Sequence, residues 1–322
     1  MKRRTILVAA AVAGLCGPLA AQTAFPPAKP ITLYVGFAPG GAADAAARLI
    51  AKKLSENIGQ SVVVENKAGA GGNIVHQQVA QGPADGTALL LGSIGPLTIA
   101  PHMMKVGYDP FKDLAPISGG VNFPNLLVVH PGTGIRNMAE FIAAAKAKPN
   151  NVSYASTGNG SASHLTGELF AARVGSEMLH VPYKGGAPAM NDLLGGRFTG
   201  YFSAPPTSLP HVEAGKLIPL ATTGLTRPSY MPNIPTVAES GLPGFEALNW
   251  YAFVASAKTP APILDRYNTE LVKVLNDPGI RDALTKHGLS PHPTTRAELA
   301  DFMQKESTKW GKVVVERKIK PE

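Results

Sequence analysis

The chain has 322 residues, 44% of them hydrophobic and only 16% charged, with a formal net charge of +8. That composition excludes a disordered chain, supports a sizeable core, and leaves room for one large α/β domain or two smaller ones. The Lys and Arg residues are scattered rather than interleaved with aromatics, so the positive balance suits small anions and carries no nucleic-acid footprint.

The first residues form an export-signal pattern. Lys2, Arg3 and Arg4 precede a short apolar stretch over residues 6–15, and the segment Leu19-Ala20-Ala21 offers small residues for cleavage. The stretch is too short to span a membrane. Cys16 is the only cysteine, and Leu15 before it departs from the small residue that a lipid-anchored signal requires. The expectation is a soluble exported chain, cleaved near Ala21, with a net charge of +5 and no thiol left for a disulfide or a nucleophile. The alternative is a buried N-terminal helix.

From there strand-like and helix-like runs alternate. ITLYVGF (31–37) precedes AADAAARLIAKKLSENI (42–58), SVVVEN (61–66) precedes NIVHQQVAQ (73–81), and ALLLGSI (88–94) precedes a further loop. A second series pairs NLLVVH (125–130) with MAEFIAAAKAK (138–148), VSYAST (152–157) with SASHLTGELFAARV (161–174), and MLHVPY (178–183) with APAMNDLL (187–194). FTGYFSA (198–204) and LIPLATTG (217–224) complete it. This rhythm predicts largely parallel sheets covered by helices. Residues 114–125, interrupted by Gly119-Gly120 and Pro124, mark a seam between the two series. Residues 226–253 read as irregular, and the tail reads as helical over 261–277 and 298–318. Late helices without strands of their own predict a return to the first unit. The expected organisation is a signal over 1–21, one lobe from 22–124 with 226–322, and a second from 125–225, with a ligand cleft between them.

Four Gly- or Ser-rich turns fall at strand ends: Ala38-Pro39-Gly40-Gly41, Gly92-Ser93-Ile94-Gly95, Ser156 to Ser161, and Tyr183-Lys184-Gly185-Gly186. Open parallel sheets bind ligands beyond the carboxyl ends of their strands, and helix starts favour anions. Ordinary βα turns are the competing explanation for each loop alone. No Gly-Lys-Ser/Thr follows Gly40-Gly41, and neither that turn nor Gly69 to Gly72 has the spaced glycines of a dinucleotide site. Asp44 stands four residues before Arg48 in the first helical turn, which reads first as helix stabilisation and second as a ligand contact. His164 with Ser161 and Ser163 invites a hydrolase reading, but no Gly-x-Ser-x-Gly elbow is present; a capping serine and a packed histidine is the other reading. Metal-ligand spacing is absent, so neither metal nor cofactor is expected. Trp250 and Tyr251 suit either a pocket wall or a core.

The ordered segments PGGAADAAARLIAKKL, VVVENKAGAGGNI, ASTGNGSASHLTGELF, HVPYKGGAPAMNDLLGG and IPTVAESGLPGFEALNW closely resemble the Bug-type extracytoplasmic substrate-binding proteins of tripartite tricarboxylate transporters. The likeness runs from about Ile31 to the C-terminal helices. It implies a non-enzymatic α/β protein of type II periplasmic-binding-protein fold, two lobes closing on a small mono- or dicarboxylate. It further implies ligand contacts at Ala38, Pro39, Gly40, Gly41, Ser156, Thr157, Gly158 and Ser161, an amine contact in some members at Asp44, and distal contacts at Ser93, Ser203, Ala204 and Trp250. His164 belongs to the same candidate set. Phe37-Ala38 departs from the second proline common before the Pro-Gly-Gly turn, which puts the Ala38 contact in question. The implied partners are membrane permease subunits, or a receptor if the closed form serves a sensor, with the chain itself a monomer. A secreted serine hydrolase is the enzymatic alternative.

Overall fold

A computed structural model of the chain describes residues 25–316 and Ile319; the export-signal residues lie outside them. The chain opens with β1 (Ile31–Val35), α1 (Ala42–Ile58), β2 (Val62–Asn66), α2 (Asn73–Gln81) and β3 (Ala88–Ser93). A π-helical turn (Gly95–Ile99) runs into the short α3 (Ala100–Met103), and the long β4 (Leu114–Pro124) follows. The second series is β5 (Leu126–Val129), α4 (Met138–Ala147), β6 (Ser153–Ser156), α5 (Ala162–Val174), β7 (Leu179–Pro182), α6 (Gly186–Leu194), β8 (Gly200–Ser203), α7 (Pro205–Glu213) and β9 (Ile218–Thr222). The chain ends with β10 (Leu248–Ser256), α8 (Ala261–Asn276), α9 (Pro278–Lys286), β11 (Ser290–Pro291) and α10 (Arg296–Glu316).

These strands form two sheets, one in the order β11-β4-β10-β3-β1-β2 and the other β7-β6-β8-β5-β9. β1 pairs in parallel with β2 and β3, and β6 with β7 and β8. The remaining pairs, made by β10, β11 and β5, are antiparallel. The sheets are therefore mixed rather than largely parallel. The strands that leave or re-enter a sheet at the crossings run against those built by βαβ units.

The helices form where small and apolar residues share a face. In α1 the buried residues Ala43, Ala46, Ala47, Ile50, Ala51 and Leu54 recur at three- and four-residue spacing, and the alanines let the helix lie close on the sheet. It stops at Gly59, which takes a left-handed φ of 69° and donates its N–H to Ser55 O.

Residues 248–253 correct the sequence reading. The segment read as irregular supplies β10, inserted between β3 and β4 and buried over nearly its whole length. The Gly- and Pro-rich stretch before it masked a run whose aromatic and β-branched content is a strand signal. The C-terminal helices thus do follow a strand, and α10 packs on the π-helical turn and β4.

The chain crosses between the sheets at Asn125, which separates β4 from β5, and again over residues 223–247. Thr223 ties the two crossings together. Its Oγ1 accepts the Asn125 N–H at 2.8 Å and donates to Ala247 O at 2.7 Å, while its own N–H donates to Asn125 O at 2.9 Å. All of these groups are buried. Thr223→Val keeps the shape and leaves two buried backbone groups unpaired. It should cost about 2–6 kcal/mol of stability by urea denaturation, at about 1–3 kcal/mol per orphaned group.

Candidate functional site

A small cavity of about 30 Å³ is lined by residues from both sheets. Four helix starts reach it. Gly41, Ala42 and Ala43 bring the start of α1, and Ala162 and Ser163 that of α5. Gly186 brings the start of α6, and Ala204 with Thr207 that of α7, whose first two residues, Pro205 and Pro206, carry no N–H and whose Thr207 N–H donates to Ala204 O at 3.0 Å. The first N–H groups of a helix have no partner within it, and the helix dipole adds partial positive charge there. Strands carry the other wall: Ser93 from β3, Asn249 and Tyr251 from β10, Tyr201 and Phe202 from β8, and Asn125 at the crossing. Among the described residues, none that lines this cavity is charged. Burial pushes the phenols of Tyr201 and Tyr251 up, so both remain protonated donors at neutral pH.

The helix-start loops are held by their own side chains. Gly40, at φ 82°, gives its N–H to Asp44 Oδ2 at 3.0 Å. Arg48 Nε donates to the same oxygen at 3.0 Å and Arg48 Nη2 lies 2.9 Å from Oδ1. Burial works to raise the Asp44 pKa, but the bonds from Arg48 and Gly40 outweigh it and hold the carboxyl below its ordinary value. Asp44 therefore braces the turn, and the Gly40 N–H is spent on that brace. In the opposite loop Thr157 N–H donates to Ser163 Oγ at 3.0 Å, Gly158 N–H to Ser156 Oγ at 3.0 Å, and Gly160 N–H to His164 Nδ1 at 3.2 Å. Ser161 caps α5 by accepting the His164 N–H at 3.4 Å.

Of the residues singled out in the sequence, Gly41, Ser93, Thr157 and Ala204 line the cavity. Ala38, Pro39, Gly40, Asp44, Ser156, Gly158, Ser161, His164 and Ser203 are not among its lining residues, and Pro39 and Gly40 are exposed. Ala38 N–H donates across the cleft to Lys184 O at 3.0 Å. Ser203 Oγ donates to Ala204 O at 3.1 Å. Trp250 faces away from the cavity: its ring packs on Phe302 and its Nε1 donates to Glu306 at 3.1 Å. Strand alternation puts its neighbours Asn249 and Tyr251 on the cavity side instead. Asn125, Asn249 and Tyr201 were not singled out from sequence; for Asn249 the alternation along residues 248–256 was the available signal.

His164 is a structural histidine. It stacks on His180 at 4.1 Å between ring centres, and its Nδ1 takes the Gly160 N–H. Ser161 and Ser163 Oγ bond backbone N–H groups and lie 3.3 Å from each other. This is a cap and a brace, not a nucleophile beside its base. His76 plays a similar part beneath Ser93: its Nδ1 bonds Gly72 O at 2.8 Å and its Nε2 accepts the Ser93 N–H at 3.4 Å.

The two lobes meet through glycines. A Cβ on Gly95 would stand 2.6 Å from Gly160 O, and one on Gly158 2.9 Å from Gly71 Cα. A Cβ on Gly185 would stand 2.8 Å from Ala38 N. Backbone lies against backbone at each point, as in a closed cleft.

The family description "tripartite tricarboxylate transporter family receptor" matches residues 46–319. The chain belongs to this receptor family. Solved structures of Bug-type and related receptors superpose closely on it. Rpa4515 of R. palustris, solved with adipate, is 35% identical at a TM-score of 0.88, covering 92% of this chain and 99% of its own. The periplasmic binding protein BugD is 32% identical at 0.87, covering 92% and 100%. MatC of Rhodopseudomonas palustris, solved with malate, is 29% identical at 0.85, covering 89% and 99%. The receptor thus has the two-lobed α/β fold of periplasmic binding proteins, in a family that binds substrates rather than transforming them.

The buried histidines set an acid limit on this architecture. Burial holds His76 down to about 4, and burial with the neighbouring His180 holds His164 down to about 3. Unfolded histidine titrates near 6.5, so below that pH the unfolded state binds protons that the folded state refuses. Stability is full above about pH 6.5 and falls as the pH drops towards 4 and then 3. Melting temperature measured from pH 7.5 to 4.5 should decline, and His164→Gln should flatten the decline.

Proposed function

We propose that this receptor is an exported, periplasmic, monomeric protein that captures a small carboxylate by closing its lobes, 22–124 with 226–322 and 125–225, and delivers it to a membrane permease. The observation that carries the reading is the convergence of the α1, α5 and α6 starts, with their backbone N–H groups, on a cavity for which no charged lining side chain is found among the described residues. Such a site favours one anion through backbone N–H groups and dipoles. Without an Arg or Lys clamp the anion is held but not locked, which suits a carrier. The adipate and malate bound by its relatives Rpa4515 and MatC support the ligand class.

The glycine seam supports closure as the step that buries the ligand. A closed shape that the ligand favours is what a permease can tell from the empty protein. The receptor family is named for its transporter, which favours a permease over a sensor receptor as the partner.

Gly95 isolates that step. Its backbone is not in the left-handed region, and an added Cβ meets only the facing backbone of Gly160 and Ser161. In a thermal-shift and calorimetric panel of adipate, malate and hexanoate, at least one should bind and stabilise the wild type. Gly95→Ala should weaken that binding by about tenfold or more, roughly 1.4 kcal/mol, and leave the melting temperature of the unliganded protein nearly unchanged. No binding across a broad carboxylate panel would refute the ligand class.

A further inference from the structure

The carboxylate reading leaves open what the strand-borne wall recognises, and Asn125 answers it. Asn125 is 1% exposed, lines the cavity, and has a side-chain Oδ1 with no hydrogen-bond partner. Its amide is held in one orientation. Nδ2 donates to Thr166 Oγ1 at 3.2 Å, and Thr166 Oγ1 gives its only proton to Ala162 O at 2.8 Å. Turning the amide over would set two acceptors against each other, so Oδ1 stays on the side of the amide away from Thr166. Asn249 Oδ1 is also buried and unpartnered on the same wall.

A buried acceptor without a partner is costly, and the ligand is the group that can relieve it. A second carboxylate has no proton to give and meets no cation here. An alkyl end gives nothing either. We propose that the preferred ligand is a monocarboxylate whose far end carries a neutral hydrogen-bond donor, a hydroxyl or an amide N–H, received by Asn125 Oδ1. Thr166 is the positioning residue that holds that acceptor towards the cavity. Because Asn125 is itself the crossing between the lobes, the donor engages the chain at its hinge. This inference rests on the carboxylate reading above.

The test is calorimetric titration of the full mature protein at pH 7.5 with 6-hydroxyhexanoate, hexanoate and adipate, which differ at the far end. The wild type should bind 6-hydroxyhexanoate about tenfold or more tighter than either of the others. Asn125→Ala should bring 6-hydroxyhexanoate and hexanoate to within about threefold. Asn125 sits at a crossing, so Thr166→Val provides a second variant. With no oxygen to hold Nδ2, the amide is free to turn, and the preference should move towards adipate. Hexanoate or adipate binding the wild type as tightly as 6-hydroxyhexanoate would overturn the inference and leave the carboxylate reading standing. An unchanged preference in both variants would do the same. If none of the three binds, and no other carboxylate does, both fail.

Discussion

The site depends on backbone N–H groups presented at helix starts inside a cavity free of charged side chains. Each start carries partial positive charge, and in a buried setting that charge is weakly screened. Three that carry N–H groups, from α1, α5 and α6, meet in one place, beside the proline-started α7. The surrounding side chains serve this presentation. Asp44 with Arg48 holds one turn, and Ser156, Ser163 and His164 hold the loop facing it. None of those groups needs to touch the ligand to decide what the cavity accepts. A hydrolytic site would need a nucleophile left available to a base; here the serines and the histidine are committed to backbone N–H groups.

The close contact between the lobes follows from the same economy of side chains. Where the lobes meet, glycine at positions 71, 95, 158 and 185 lets backbone approach backbone, and any Cβ there would collide. The tie through Thr223 joins the two crossings by buried hydrogen bonds. Asn125 belongs both to that tie and to the cavity wall. A ligand group that satisfies its side chain therefore acts where the two lobes are joined.

Much of this was legible in the sequence, for identifiable reasons. The βα alternation follows from hydrophobic periodicity, and the seam at residues 114–125 coincides with β4 and the first crossing. Glycine turns at strand ends marked where the helix starts would point. β10 was hidden by the turn-rich residues before it, although its own composition favours a strand. The Gly40 N–H was expected to face a ligand, but the carboxylate four residues on is closer and charged, and it takes that proton. The resemblance implied a distal contact at Trp250, and strand parity turned it towards Glu306. Asn125 and Asn249 are 124 residues apart in sequence order and share a wall only because the chain crosses back; no local pattern could have paired them.

The most direct test of the central claim compares a carboxylate with its uncharged amide on the wild-type protein by calorimetry. The backbone field favours the charged group: 6-hydroxyhexanoate should bind about a hundredfold or more tighter than 6-hydroxyhexanamide, roughly 2.7 kcal/mol, as charge-assisted hydrogen bonds imply. Equal binding of the acid and the amide would contradict the account, because it would mean that the converging helix starts do not hold the anion.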